Sequence, residues 1–460
     1  MNQNNLSSFT EMVMKLLEQK KYATIRDIFP TLQPVDIATI FEECIPSKLS
    51  LLFRLLPKDL AAETFSSMDS ELQQHLLRSF SDKELRELMD ELYMDDAIDI
   101  IEEMPATLVS RILSQASAEE RKLINEMLKY PSDSAGSIMT TEYVNLYPHM
   151  TVSQAIDHIR NTGVDKETIN VCYVTTSTRI LEGSVSIRTL ILSKEDALIG
   201  DIMTKNVLTI HTKEDKENVA NFFAKYGCIV APVVDSEERL VGIVTVDDAI
   251  TVLREETAED IEKMAAVTPS DKPYLKLSVF KIYLSRIPWL LILMLSATVT
   301  GAILTKYESM FAAIPLLISF IPQLMSTGGN TGSQSSTTVI RGLATEEMTP
   351  KDILKVLRKE LSVALVIGIV LALVNSLRIF LMYNSNDIGG NSTYMLALVT
   401  GLTLIGTIIV SELLGCLLPM LAKKLKLDPA LMSAPLITTI VDACSVLLYF
   451  AVAGSMLTGI

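Results

Sequence analysis

Ile282–Leu304 reads IYLSRIPWLLILMLSATVTGAIL, an apolar run whose one charge, Arg286, lies near its start. Crossing a hydrocarbon core of roughly 30 Å takes about 20 helical residues, and this run is long enough. Leu361–Tyr383, Met395–Leu421 and Leu431–Leu457 have the same character. A fifth stretch, Met310–Met325, is shorter and runs into polar sequence. Basic residues set the orientation, because they collect in loops on the cytosolic side. Lys272, Lys276, Lys281 and Arg286 gather at the first span. Arg341, Lys351, Lys355, Arg358 and Lys359 form a second group, and Lys423, Lys424 and Lys426 a third. Asn384–Asn391 has no basic residue. The pattern predicts five spans, with the N-terminus inside and the C-terminus outside.

The rest of the chain is different in kind. Of 460 residues, 49% are hydrophobic and the net charge is −15. Residues 271–460 carry a net +4, which leaves −19 on residues 1–270. An acidic soluble half therefore precedes an apolar, slightly basic one, and together they give a mean hydropathy of +0.33. A nucleic-acid partner is disfavoured, since phosphate binding needs a basic face. Five scattered cysteines without a C-x-x-C pair make no disulfide scaffold. The opening MNQNNLSSFTEMV lacks the basic and apolar regions of a cleaved signal peptide.

Residues 1–130 read as a stack of short amphipathic helices. PVDIATIFEEC from Pro34, PKDLAAETFSSM from Pro57, SDKELRELMDEL from Ser81 and MDDAIDIIEEM from Met94 recur at roughly one- or two-helix spacing. Pro, Ser or Asp stands at most of the starts, as helix entry favours. Residues 131–250 hold a repeat. Ile138-Met139-Thr140 matches Ile202-Met203-Thr204, and each round reads strand, helix, strand, turn, strand, helix. This tandem unit resembles a pair of CBS modules, a fold that commonly senses adenine nucleotides or metal. The segment 251–272 is an acidic connecting helix, and 273–460 is the membrane domain. The expected fold is thus multi-domain: an all-α helical-stack N-domain, an α/β tandem CBS pair, and a polytopic α-helical membrane domain.

Asp442 is the most telling single residue. It lies in PLITTIVDACSVLLYF, eleven residues after Leu431, about 17 Å into the helix and near mid-membrane. A charge there costs on the order of 3 kcal/mol, so an intramembrane acid is a functional candidate by default. Thr438 lies one turn before it and shares its face, and Pro435 offers a bend. Few other ionisable groups lie in the spans. Arg378 is placed to snorkel outward, Glu360 stands at the inner mouth, and Glu412 either lines an inner vestibule or bonds locally. All four histidines precede the membrane. Carboxylate and neutral oxygens without imidazole suit a hard cation such as Mg²⁺.

The segment Pro322–Thr338, PQLMSTGGNTGSQSSTT, brings three glycines and many hydroxyls to the end of the second span. Glycine permits close approach or unwinding, and irregular polar backbone at membrane depth must be buried or line water. The segment reads as the wall of an aqueous path. One Asp per chain is meagre for a divalent ion, and a two-fold dimer would present two. Mg²⁺ gives up water reluctantly, so paired carboxylates would hold it through its hydration shell.

A further acidic group lies on the soluble side. The helix from Val246 to Met264 carries Asp247, Asp248, Glu255, Glu256, Glu259, Asp260 and Glu262. Glu255/Glu259 and Glu256/Asp260 are like-charge pairs one turn apart, which weaken an isolated helix. The helical stack adds Glu63, Asp95, Asp96 and Asp99. Facing acid surfaces repel unless cations bridge them. Thr245 and Asp248 also fit a nucleotide site, in which the Asp bonds ribose hydroxyls. The first module has Ser186 but Thr189 at the Asp place.

STGGNTGSQSSTTVIRGLAT, DPALMSAPLITTIVD and VGIVTVDDAITVLREETAEDIEKM resemble the MgtE family of bacterial magnesium channels, and the domain order is similar over essentially the whole chain. The resemblance implies a homodimeric, multi-pass Mg²⁺ channel of the plasma membrane, with the pore ion between paired aspartates at Asp442. Regulatory Mg²⁺ ligands would fall at Glu63, Asp95, Asp99, Glu217, Asp248, Glu256, Glu259 and Asp260. Ser326, Gly329, Asn330, Ser333, Thr337 and Thr438 would line the pore, and ATP is a candidate ligand at Thr245 and Asp248. Enzyme chemistry is not expected: an intramembrane aspartyl protease needs two deep aspartates, and Asp442 stands alone. The alternative is an ion-coupled Co²⁺/Mn²⁺ carrier with CBS nucleotide sensing.

Overall fold

The computed structural model describes residues 3–270, 272–383, 392–432 and 434–457. Asn384–Asn391, read above as an outer loop, lies outside the described residues. The chain divides into two compact units, Met1–Leu253 and Arg254–Ile460.

The first unit begins with short helices: α1 (Gln3–Glu18), α2 (Tyr22–Ile28), α3 (Pro34–Glu42), α4 (Pro46–Phe53), α5 (Lys58–Ser66), α6 (Ser70–Ser79), α7 (Asp82–Met89), α8 (Met94–Glu103), α9 (Ala106–Gln115) and α10 (Ala118–Met127). Their starts are chemically marked. Pro34 and Pro46 open α3 and α4, Asp69 caps α6, and Ser81–Glu84 and Ser117–Glu120 form capping boxes on α7 and α10. Alternate helices pack on one another, α3 on α5, α5 on α7 and α7 on α9, with α4 on α6 and α8 on α10. That is the pairing of a stack rather than of a bundle. Aromatic pairs join successive layers: the Phe29 and Phe41 rings meet edge to face at 5.7 Å, and Phe53 lies tilted 5.3 Å from Phe80.

Two α/β modules follow. The first holds β1 (Tyr143–Leu146), α11 (Val152–Thr162), β2 (Thr168–Thr175), β3 (Leu181–Ser186) and α12 (Ile187–Leu192). The second holds α13 (Ile199–Ile202), β4 (Ile210–His211), α14 (Lys216–Tyr226), β5 (Val230–Val234), β6 (Leu240–Thr245) and α15 (Val246–Met264). Both sheets have the same order, β1-β2-β3 and β4-β5-β6, with one parallel and one antiparallel pairing each. The sequence repeat has a physical role here. Thr140 exchanges backbone hydrogen bonds with Ile243 of the second module at 2.8 and 2.9 Å, and Thr204 does the same with Ser184 of the first at 2.9 and 3.0 Å. Gly242 and Gly183 leave room for the Met139 and Met203 side chains that arrive with those strands. The helical stack and the second module share one hydrophobic core, running from Phe29 and Phe65 to Phe223 and Val233.

The second unit contains α16 (Val279–Lys306), α17 (Glu308–Ala313), α18 (Ile321–Ala344), α19 (Ile353–Met382), α20 (Thr393–Lys424) and α21 (Ala434–Met456). Four helical stretches are long and apolar enough to cross a membrane: Val279–Lys306, Pro350–Met382, Thr393–Lys424 and Ala434–Met456. The expected fifth, Met310–Met325, is not one helix. It is divided among α17, a 3-10 turn at Pro315–Phe320 and the start of α18, because Pro315 and Pro322 each restart the ladder. α18 lies against both α20 and α21, α19 packs on α20, and α16 packs on α21. Only 6% of the apolar window of α16 is buried, against 50% for α20, so α16 is peripheral in the single chain. Pro435 sits in the first turn of α21, where proline is at home, and makes no interior bend.

Candidate ion pathway and acidic surface

α18 is an unbroken helix despite its glycines, so the close-approach reading holds and unwinding does not occur. A Cβ on Gly328 would stand 2.7 Å from Thr407 Cγ2 and 2.8 Å from Val441 Cγ1. One on Gly329 would stand 2.7 Å from Thr438 Cγ2, and one on Gly332 3.0 Å from Ile437 Cγ2. Gly415 of α20 meets the Gly332 carbonyl. Small residues on both sides let the backbones touch, as membrane helices without a hydrophobic driving force require.

This packing sorts the side chains of α18. Gly328, Gly329, Thr331, Gly332, Ser335 and Ser336 are buried, while Ser326, Asn330 and Thr337 are exposed and Ser333 is half-buried. The last four follow one another at helical spacing and form a polar stripe along the free face. Thr438 borders that stripe through its contact with Gly329. Its hydroxyl donates to the Ala434 carbonyl at 2.8 Å, and the Ser333 hydroxyl to Gly329 at 2.8 Å, so each helix satisfies its own donors and leaves oxygen lone pairs outward. Asp442, one turn past Thr438, is half-buried, and its Oδ1 is buried without a hydrogen-bond partner.

The remaining membrane charges differ from expectation in one case and resolve an alternative in another. Arg378 does not snorkel. Its guanidinium donates to Gln323 Oε1 at 2.6 Å and Asn375 Oδ1 at 3.1 Å, and lies 5.6 Å over the Phe320 ring. Asn375, 4% exposed, also donates to Thr400 at 3.1 Å. This network joins α18, α19 and α20; Asn375 and Arg378 are one turn apart, but Gln323 and Thr400 lie too far away in sequence for a local pattern to link them. Glu412, 3% exposed, bonds locally: its carboxyl meets that of Glu360, whose Oε2 accepts the Ser335 hydroxyl at 2.7 Å.

In the first unit an acidic group gathers where α8 meets the modules. Asp95 and Asp96 stand in the first turn of α8, with Asp247 and Asp248 in the first turn of α15 and Glu167 just before β2. Burial, then Asp248 and Asp96, push the Asp95 carboxyl well above the usual range. Burial and Asp248 raise Asp96 to about 6, and burial with Asp248 and Asp247 raises Glu167 to about 7. Asp248 is raised by burial, although the Thr245 hydroxyl donates to its Oδ2 at 2.6 Å. Glu63 and Glu142 approach through Tyr93, whose hydroxyl they help to raise after burial. Asp99 is exposed one turn along α8, and Glu217 stands in the first turn of α14. Glu256, Glu259 and Asp260 lie farther along α15, in the second unit. Glu167 and Asp96 were not among the expected ligands; like charge on α8 marks Asp96, but only the fold brings Glu167 there.

Among the described residues, no three acidic, histidine or cysteine side chains stand at ligand spacing around one point. Carboxylates without a counter-ion repel and hold apart. The donors are all oxygen, the ligand type of hard divalent cations, and Glu167 Oε2 is buried with no hydrogen-bond partner.

Three family models match the chain: a divalent cation transporter domain over residues 321–452, an MgtE intracellular N domain over 32–133, and CBS domains over 135–195 and 199–255. The chain is 35% identical over 452 residues to the magnesium transporter MgtE of Thermus thermophilus, covering 97% of this chain and 98% of that one. It is 32% identical to the protein of that name from Bacillus subtilis, covering 97% of each. Among solved structures, the cytosolic domain of the Mg²⁺ channel MgtE in complex with ATP is similar with a TM-score of 0.51 and 32% identity, over 53% of this chain and 99% of that one. The soluble part of a magnesium transporter gives a TM-score of 0.52 at 29% identity, over 55% of this chain and all of the other.

Proposed function

Because the chain belongs to the MgtE family of magnesium transporters, we propose that it is a homodimeric Mg²⁺-selective channel of the bacterial plasma membrane, closed by cytosolic Mg²⁺. The observation that carries this reading is the polar stripe Ser326, Asn330, Ser333 and Thr337, free on α18 beside Thr438 and Asp442. Hydroxyls and amides of this kind cannot face lipid at membrane depth, so they face water or a second copy. In this arrangement α18 is the fifth pass, which sets the N-terminus in the cytosol and the C-terminus outside.

Mg²⁺ is the cargo. Two Asp442 carboxylates across a dimer axis would attract it electrostatically, and the outward oxygens of Asn330, Ser333 and Thr438 would replace bulk solvent around its water shell. The acids Asp95, Asp96, Asp99, Glu167 and Asp248, with Glu63, are the regulatory ligands of the first unit together with Glu217, and Glu256, Glu259 and Asp260 are those of the second. When cytosolic Mg²⁺ is high, bridging ions favour the state in which acid faces meet; when it is low, repulsion separates them. Only a difference in Mg²⁺ affinity between these states moves the balance. ATP would compete for the same surface, since Asp248 serves both the ribose contact and the acidic group.

Mg²⁺ uptake into proteoliposomes tests the pathway. Asp442→Asn should lower uptake by at least about tenfold, because it removes the carboxylate charge that attracts the ion at mid-membrane. Uptake equal to wild type would rule out Asp442 as the ion site.

A further inference from the structure

Beyond the acidic surface and the pathway, one cation is held by two carboxylates. Lys263 lies in the last turn of α15, on the part of that helix that belongs to the second unit. Its side chain is 22% exposed, and its ammonium stands 2.5 Å from Glu259 Oε1 and 2.7 Å from Asp428 Oδ2. Glu259 is one turn back on the same helix; Asp428 is 165 residues away. Asp428 lies in the short loop between α20 and α21, and its other oxygen accepts the Ala430 amide at 2.8 Å. One carboxylate therefore holds both the loop that leads into the Asp442 helix and the end of the connecting helix.

The contact is braced on both sides. Ala266 adopts φ +55°, turning the chain sharply as the helix ends, and the Val267 amide closes onto the Glu262 carbonyl at 2.9 Å. The Thr268 amide then donates to the Ser285 carbonyl of α16 at 2.9 Å. Glu262 accepts the Ser270 amide at 3.1 Å. The end of α15 is thus tied to α16 by backbone and to the α20–α21 loop by charge. Of these ties, the Lys263–Asp428 pair is the one between side chains remote in sequence.

We propose that Lys263 is a built-in latch whose ammonium, bridging Glu259 and Asp428, holds the connecting helix on the α20–α21 loop and favours the closed channel. It rests on the gating reading above, to which it adds that opening parts the connecting helix from the α20–α21 loop. Without the lysine, Glu259 and Asp428 would present two like charges across this junction. A bridging divalent ion would relieve that repulsion only at sufficient concentration; a lysine of the chain relieves it always. The latch thereby lowers the Mg²⁺ concentration needed for closure and leaves the other acids of α15 to set the response.

The test uses the full chain in proteoliposomes, with Mg²⁺ uptake measured while internal Mg²⁺ is stepped from chelated to millimolar. Lys263→Met removes the charge, and Lys263→Arg keeps it. Asp428→Asn removes the partner charge yet retains an oxygen for the Ala430 amide. The Met and Asn variants should each need about two- to fivefold more internal Mg²⁺ for half-closure, the range of a partly exposed ion pair, and the Arg variant should follow wild type. The double variant should shift no further than either single one, because both break the same contact. Additive shifts, or single variants that match wild type at every internal Mg²⁺, would overturn the latch while leaving Mg²⁺ gating intact. A wild type indifferent to internal Mg²⁺ would sink the gating reading instead. In that event the latch is read in chelated vesicles, where raised uptake by Lys263→Met supports it and unchanged uptake overturns it.

Discussion

Gly328 concentrates the packing problem of the membrane domain into one hydrogen atom. Thr407 and Val441 close on it from two different helices, and both are β-branched, so neither can swing aside without leaving its rotamer. The Thr407 and Ser411 hydroxyls beside it are buried without partners, which signals how little room is left. Gly328→Ala should therefore push α18 away from α20 and α21, at a cost of about 1–3 kcal/mol. We expect a melting temperature in detergent several degrees lower and reduced Mg²⁺ uptake. Gly454→Ala is the control, since its added methyl would meet only the flexible end of Met310 at 3.3 Å; an equal effect at both positions would refute the argument. At this scale sequence reading was uneven. The unpaired Asp442 was legible because any acid in an apolar run is conspicuous. The inward bonding of Arg378 was not, because Gln323 stands 55 residues away, and snorkelling is the default only when no buried acceptor exists.

Among elements, α18 shows tertiary contacts overriding propensity. Gly328, Gly329 and Gly332 each disfavour a helix by about 1 kcal/mol relative to Ala, which is why unwinding was a fair expectation. Contact with α20 and α21 replaces what propensity lacks. The short helices of the stack were legible from their starts, since Pro, Ser and Asp announce helix entry locally. The facing of α8, α15 and Glu167 was not, because it depends on how the second module sits on the stack. That facing has a pH signature. Asp96 and Glu167 are raised to about 6 and about 7, so between the ordinary carboxylate range near pH 4 and pH 7 the folded form binds more protons than the unfolded one. Stability then falls as pH rises through this window and is lowest above it. Without Mg²⁺, the soluble region should gain on the order of 2 kcal/mol as pH drops from about 8 to 5, after allowance for water at these half-buried sites. Saturating Mg²⁺ should flatten or reverse that slope in thermal melts, since protons and the ion compete for the same oxygens. A slope identical with and without Mg²⁺ would separate these acids from cation binding.

For the whole molecule, the division of charge matters more than its total. Residues 1–270 carry −19 and residues 271–460 carry +4, and α15 runs without interruption from the last strand of the first unit into the second. That helix is also dense in acids. Two physical mechanisms could make such a device respond to Mg²⁺. Diffuse screening depends on ionic strength and weakens exposed repulsion beyond a Debye length of about 8 Å at physiological salt. Bridging depends on a divalent ion held between particular oxygens and is indifferent to added monovalent salt except through screening. Asp95, Asp96, Asp248 and Glu167 are partly buried and electrostatically coupled, a setting that salt screens less than it screens exposed charge. Replacing internal Mg²⁺ with KCl of equal ionic strength should then leave uptake open, while Mg²⁺ closes it. Substituting Glu256, Glu259 and Asp260 with their amides should leave uptake open even at high internal Mg²⁺, because the connecting helix has then lost its bridging ligands and, at Glu259, one partner of Lys263. If KCl closes the channel as well as Mg²⁺ does, the acids act only as a diffuse field and no bridging site is needed.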